Sequence, residues 1–156
     1  MTSPASPLQT PDNDVVLDNV RSALAEDVGS GDCTAHLVPR EQELHTRVIS
    51  RETAVLAGRA WFDEAFRQLD PGVTVDWHAA DGDRIEPEQV ICEVRGKARS
   101  VLTGERTALN FLQTLSGTAS CAARYVRTIE GTGGGKQSIA WDGYDDSGRL
   151  LDRGEY

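Results

Sequence analysis

A chain of 156 residues with 38% hydrophobic and only 6% aromatic residues supports one modest core, and two full domains would be cramped within it. A net charge of −9 and a pI near 4.7 exclude general binding to nucleic acid or to a membrane surface, both of which need a positive field. An anionic ligand then requires locally gathered cations, nearly all of them arginines because Lys97 and Lys136 are the only lysines; a compositional bias of the source genome explains this equally well.

Residues 1–13 open with Met1-Thr2-Ser3-Pro4, with neither a charged start nor an apolar run, and are expected to be a disordered arm rather than a signal peptide or anchor. Val16, Val20 and Leu24 recur at helical spacing and predict a helix over about 15–26, with Asp14 as its cap and Gly29 as its stop. The segment Glu26-Asp27-Val28-Gly29-Ser30-Gly31-Asp32-Cys33-Thr34 reads as a tight loop. Alternation through Leu44, Thr46, Val48 and Ser50 predicts a strand, and 54–58 a second one or its continuation. From Arg59 to Leu69, the residues Trp61, Phe62, Ala65, Phe66 and Leu69 form one apolar helical face, stopped by Asp70-Pro71-Gly72. Val73, Val75 and Trp77 alternate in a further strand, and the Ala80-Asp81-Gly82-Asp83 turn leads past Pro87 to another at Val90 to Val94.

A longer helix is predicted from Ser100 to Leu115, with Val101, Leu102, Ala108, Leu109, Leu112 and Leu115 along one side and Arg106, Asn110 and Gln113 along the other. Glu105 falls inside the apolar stripe, so either it finds a cationic partner or the helix is rotated enough to expose it. The run of small residues from Ser116 to Ala123 is expected to form a second helix of this pair, to approach another backbone closely and so to lie in an interface. The folded domain is thus expected over 14–131. Residues 132–156, Gly- and Asp-rich without a usable period, are expected to form a poorly ordered tail.

Few motifs survive inspection. Gly131-Thr132-Gly133-Gly134-Gly135-Lys136 is not a phosphate loop: Glu130 stands where the first glycine belongs, Gln137 replaces the Ser or Thr, and a helix precedes it. Asp81/Asp83 and Asp145/Asp146 miss a calcium loop because Ile85 and Gly148 occupy ligand positions. His36, His45 and His78 are too scattered to suggest zinc. Cys33, Cys92 and Cys121, odd in number and widely spaced, argue against a disulfide framework and for a reducing, cytoplasmic setting; all three are read as buried or half-buried. The segment from Asp81 to Val90 resembles the half-barrel turn of biotinyl and lipoyl carrier domains, without a lysine at the hairpin tip. Arg106, at mid-helix on the polar side, can present a planar fork to an anion. From pattern alone an ordinary solvated arginine is favoured over that use.

The segment Thr103-Gly104-Glu105-Arg106-Thr107-Ala108-Leu109-Asn110-Phe111-Leu112-Gln113-Thr114-Leu115-Ser116-Gly117 closely resembles the helix signature of nicotinate-nucleotide pyrophosphorylase (carboxylating), or quinolinate phosphoribosyltransferase. The loop from Glu26 to Thr34, Val55-Leu56-Ala57-Gly58 and Asp81-Gly82-Asp83 follow in the family's order, so the resemblance runs from about Leu17 to Thr132. It implies an α+β fold: an N-terminal α/β sandwich with a small open antiparallel sheet and packed helices, followed in the family by an α/β barrel. It also implies transfer of the phosphoribosyl group of phosphoribosyl pyrophosphate to quinolinate with Mg²⁺, giving nicotinate mononucleotide, pyrophosphate and carbon dioxide in NAD synthesis. The arginine matching Arg106 binds quinolinate in trans across a dimer, which lifts the functional reading of Arg106 above the solvated one.

The family's barrel motifs, Asp-Thr-Arg-Lys-Thr and a later His-Arg pair, have no counterpart in 133–156. No catalytic or metal-binding residue is therefore carried over, Mg²⁺ is expected only for a full-length enzyme, and the chain is expected to be inactive alone, as a truncated form, whether as a homodimer or beside a full-length subunit. Two competing readings are a non-catalytic partner that donates Arg106 to such a subunit, and a structural or carrier-like domain in which Arg106 is incidental.

Overall fold

The structure, a computed structural model, describes residues 12–28 and 38–130. The elements in chain order are α1 (Asn13–Val28), β1 (Glu43–Ile49), β2 (Ala54–Val55), α2 (Arg59–Leu69), β3 (Thr74–Trp77), β4 (Arg84–Ile85), β5 (Val90–Lys97) and α3 (Ala98–Glu130). This is the expected mixture of helices with a small open antiparallel sheet. Two compact units divide the chain, Met1–Arg124 and Tyr125–Tyr156; of the second, only the end of α3 through Glu130 is described. The arm at 1–11, the loop at 29–37 and the tail from 131 onward lie outside the described residues.

Helix α1 begins two residues earlier than its apolar spacing suggests. Its cap is Asp12 rather than Asp14: the Asp12 carboxylate accepts from the Asp14 amide at 3.2 Å, and its carbonyl accepts from Val15 and Val16. Val16, Val20 and Leu24 are its buried residues, and they pack with Phe62, Ala65 and Phe66 of α2 in one core. Gln68 of α2 ties the two helices further by donating to the Leu17 carbonyl at 3.1 Å and to Glu64 at 2.8 Å.

The main sheet has the order β1-β5-β3, with β5 central and antiparallel to both neighbours; β2 and β4 form a separate antiparallel pair. Central placement explains why β5 is long and largely buried, with Ile91, Cys92 and Val94 in the core, whereas inward residues of the edge strand β1 are only half-buried. Phe62 of α2 stacks edge-on against Phe66 and against Trp77 of β3, at centroid distances of 5.3 and 5.2 Å. The predicted Asp81-Gly82-Asp83 turn is present. Gly82 adopts φ 94°, the Asp83 carboxylate accepts from the Ala80 amide at 2.8 Å, and reciprocal backbone bonds to Leu56 fasten the turn to the end of β2. Lys97 closes β5 opposite Glu43, away from any hairpin tip.

Two expectations about the C-terminal helices require correction. The predicted pair is one continuous helix, α3, because Gly117 meets no neighbour that would force a break and the small residues around it sustain helical geometry. The buried stripe of α3 is also rotated from its apolar reading. It runs through Val101, Gly104, Thr107, Ala108, Leu112 and Ser116, leaving Leu102, Leu109 and Leu115 half-buried and Glu105 exposed. The cause is steric. A Cβ on Gly104 would stand 2.9 Å from the Phe66 ring and 3.0 Å from Leu69, so the glycine lets α3 sit directly on α2 along that line. Of the cysteines, Cys92 is buried as expected, Cys121 is exposed where it was expected to be at least half-buried, and Cys33 lies outside the described residues.

Candidate functional site

Arg106 lies in the first third of α3, and its side chain is 71% exposed. It is not a free solvated arginine. Its Nη2 donates to the carboxylate of Asp27 at 2.6 Å and to the Asp27 backbone carbonyl at 3.0 Å. Asp27 is the penultimate residue of α1, so that carbonyl belongs to the last turn, where no amide four residues onward within the helix can satisfy it. The guanidinium thus caps the C-terminus of α1 from another element, and its positive charge offsets a carboxylate placed at the negative end of a helix dipole.

The next residue completes the arrangement. Thr107, only 1% exposed, donates its hydroxyl to the second oxygen of the Asp27 carboxylate at 2.5 Å. A buried hydroxyl in mid-helix needs such a partner, and Asp27 supplies one that is 80 residues distant in sequence. In the sequence Thr107 stands out only as the neighbour of Arg106 in the helix signature, and Asp27 only as part of the predicted loop. No periodicity links a helix terminus to a residue that far along the chain, so only the shared burial of hydroxyl and carboxylate reveals the pair.

Further along α3, the small residues make the close backbone approach expected of them, and they make it within this chain. Ser116 Oγ accepts from the Ala57 amide at 3.0 Å and donates to the Ala57 carbonyl at 3.1 Å, while Ser120 Oγ accepts from the Val55 amide at 2.8 Å. The strand segment after β2 therefore lies against α3. Gly58, at φ 105°, follows directly, where a Cβ would stand 2.8 Å from Leu115. Between α3 and β1 runs a groove of about 710 Å³, bordered by Thr46, Val48, Glu105 and Gln113 and floored by Leu56 and Phe62. Arg106 and Asn110 are not among its lining residues, so Gln113 turns toward the groove while Arg106 engages the end of α1.

The histidines are less scattered than the sequence suggests. His45 on β1 and His78 after β3 both face Glu93 of the central strand, with Nε2 to carboxylate distances of 2.7 and 3.8 Å; Arg95 donates to the same carboxylate at 2.7 Å. Hydrogen bonds from Arg95 and His45 hold the Glu93 carboxyl below the usual range. His36 lies outside the described residues. Among the described residues, no group of three or more His, Cys, Asp or Glu side chains is arranged to hold a metal ion, and no helix is long and apolar enough to cross a membrane. Burial, with a smaller contribution from the Asp63 charge, pushes the Cys92 thiol up to about 12, so it is an inert core group rather than a nucleophile.

Residues 32–116, which include Arg106 and Thr107, match the family model described as quinolinate phosphoribosyl transferase, N-terminal domain. The chain belongs to the quinolinate phosphoribosyltransferase family. A Bacillus subtilis protein named as a probable nicotinate-nucleotide pyrophosphorylase (carboxylating) is 36% identical over 105 residues, 67% of this chain and 36% of that protein. The chloroplastic enzyme of that name from Arabidopsis thaliana is 35% identical over 103 residues, 65% of this chain and 30% of its own length. Among solved structures, the nicotinate-nucleotide pyrophosphorylase of Francisella tularensis superposes with a TM-score of 0.77 at 37% identity, covering 80% of this chain and 45% of that one. NadC from Streptococcus pyogenes superposes with a TM-score of 0.75 at 35% identity, over 79% and 44% of the respective chains. The chain thus spans about a third of the curated relatives' length, and the family likeness places its fold in the N-terminal part of the family architecture.

Proposed function

We propose that this chain supplies the quinolinate-gripping N-terminal domain of a quinolinate phosphoribosyltransferase, with Arg106 donated in trans to a site whose remaining groups come from a longer subunit. The observation that carries this reading is an exposed arginine in the family's helix segment, held by Asp27 at the end of a second helix. Quinolinate is a planar diacid, and a fixed guanidinium supplies both charge and orientation to one of its carboxylates. In a chain of net charge −9, local cation placement has to do this, since the overall field repels the ligand.

The reading extends to phosphoribosyl pyrophosphate as co-substrate and to a cytoplasmic place in NAD synthesis. Mg²⁺ is proposed to be held by the longer subunit together with phosphoribosyl pyrophosphate; among the described residues no three His, Cys, Asp or Glu side chains converge on a metal position. The 156 residues by themselves then form no nicotinate mononucleotide from quinolinate, phosphoribosyl pyrophosphate and Mg²⁺. Steady turnover by the purified chain, followed by chromatography of the product, overturns that part of the proposal. In mixed dimers with a full-length family subunit whose own matching arginine is replaced by alanine, Arg106→Ala in this chain is expected to weaken calorimetrically measured quinolinate binding about tenfold, the loss of one charge-assisted pair.

A further inference from the structure

We infer that Asp27 clasps Arg106 and that the guanidinium must leave this clasp to grip the diacid, so that an internal carboxylate competes with the ligand for one cation. The inference rests on the reading of Arg106 given under Proposed function. A guanidinium offers two faces for two-pronged pairing with a carboxylate, one through Nη1 and Nη2 and the other through Nε and Nη2. Nη2 belongs to both faces, and it is the nitrogen that donates to the Asp27 carboxylate at 2.6 Å and to the Asp27 carbonyl at 3.0 Å. Neither face is therefore open to a second carboxylate while the clasp is closed, although most of the side chain is exposed. A ligand takes both prongs only after Nη2 gives up Asp27.

The two partners are not equally free to move. One oxygen of the Asp27 carboxylate meets Arg106 and the other accepts the hydroxyl of fully buried Thr107 at 2.5 Å, so Asp27 stays at the helix interface. What opens is Arg106, the exposed partner on a long stem. Its departure leaves a carboxylate and a carbonyl at the negative end of α1 without their cation. Capping of α1 and two-pronged binding of a ligand thus exclude each other, and each opposes the other by the same factor. That factor is small. Exposed ion pairs are weak, so the clasp reduces ligand affinity by about two- to fivefold rather than shutting the site.

The test uses mixed dimers of this chain with a full-length family subunit whose own matching arginine is replaced by alanine. Asp27→Asn keeps an oxygen for the Thr107 hydroxyl and leaves the backbone carbonyl in place. It is expected to lower the KM for quinolinate about two- to fivefold at the same kcat, because the clasp opposes ground state and transition state alike. An unchanged or higher KM overturns the inference. Simple repulsion between Asp27 and an incoming diacid would also lower KM, so a second readout decides between the two, and it needs no variant to fold. In wild-type mixed dimers, saturating quinolinate is expected to speed hydrogen exchange of the amides at 25–28 severalfold, since α1 loses its cap when Arg106 leaves. Unchanged or slower exchange there overturns the inference even where KM falls. Verified wild-type mixed dimers without turnover remove the reading of Arg106 itself, and this inference with it.

Discussion

Two buried or half-buried polar groups, Thr107 and Asp27, and one exposed cation, Arg106, form the most specific constellation in the molecule, and each satisfies a need of the others. The threonine hydroxyl cannot reach water, the carboxylate sits at the unfavourable end of a helix, and the guanidinium has a charge to place. On the outer sheet face, Glu93 plays a comparable central part between His45, His78 and Arg95. Its carboxyl is held low, as are those of Glu86, through Arg84 and Thr53, and of Asp70, through Ser100 and the Gly72 amide. A carboxyl whose folded pKa lies below its unfolded value contributes stability above the unfolded value and loses it as pH falls through the folded one. The unfolded values are 4.5, 4.5 and 3.8. Stability measured by denaturant titration is therefore expected to decline as pH drops below 4.5, and Glu93→Gln should flatten that decline. Asp63 opposes the trend: desolvation raises its pKa, so its contribution weakens the fold as pH rises through and above 3.8.

At the level of elements, α3 organises the domain by approaching its neighbours through small residues. Gly104→Ala gains helix propensity of up to about 1 kcal/mol but pushes a methyl into Phe66 and Leu69, a strain of roughly 1–3 kcal/mol; the expected net result is a lower melting temperature in a thermal scan. Ser116→Ala removes both bonds to Ala57 and leaves its amide without that partner, with an expected loss of about 1–3 kcal/mol in chemical denaturation. These contacts also show what the sequence could convey. Helix α2 was legible to the residue, since four large apolar side chains with Ala65 on one face and an Asp-Pro-Gly stop leave one solution. The stripe of α3 was not, because Gly104, Thr107 and Ser116 read as neutral or polar yet are buried; what buries them is the shape of α2 and the hydrogen-bonding groups of Asp27 and Ala57. Arg106 was identifiable from the helix signature, but its anchor was not, since the contact joins elements nearly half the chain apart.

For the molecule as a whole, the chain corresponds to 45% of the Francisella tularensis enzyme, and a complete site is proposed to require groups from a longer subunit. The chain is acidic overall, with a single exposed arginine held by Asp27 in the family's signature helix, and under the proposed reading ligand recognition depends on that one cation rather than on a general positive field. The most direct test is complementation. A full-length family enzyme in which the arginine matching Arg106 is replaced by alanine is mixed with this chain, mixed dimers are verified by light scattering, and nicotinate mononucleotide is measured. The account predicts restored turnover with the wild-type chain and none with Arg106→Ala. Equal turnover with Arg106→Ala, or verified mixed dimers that stay silent with the wild-type chain, would contradict it.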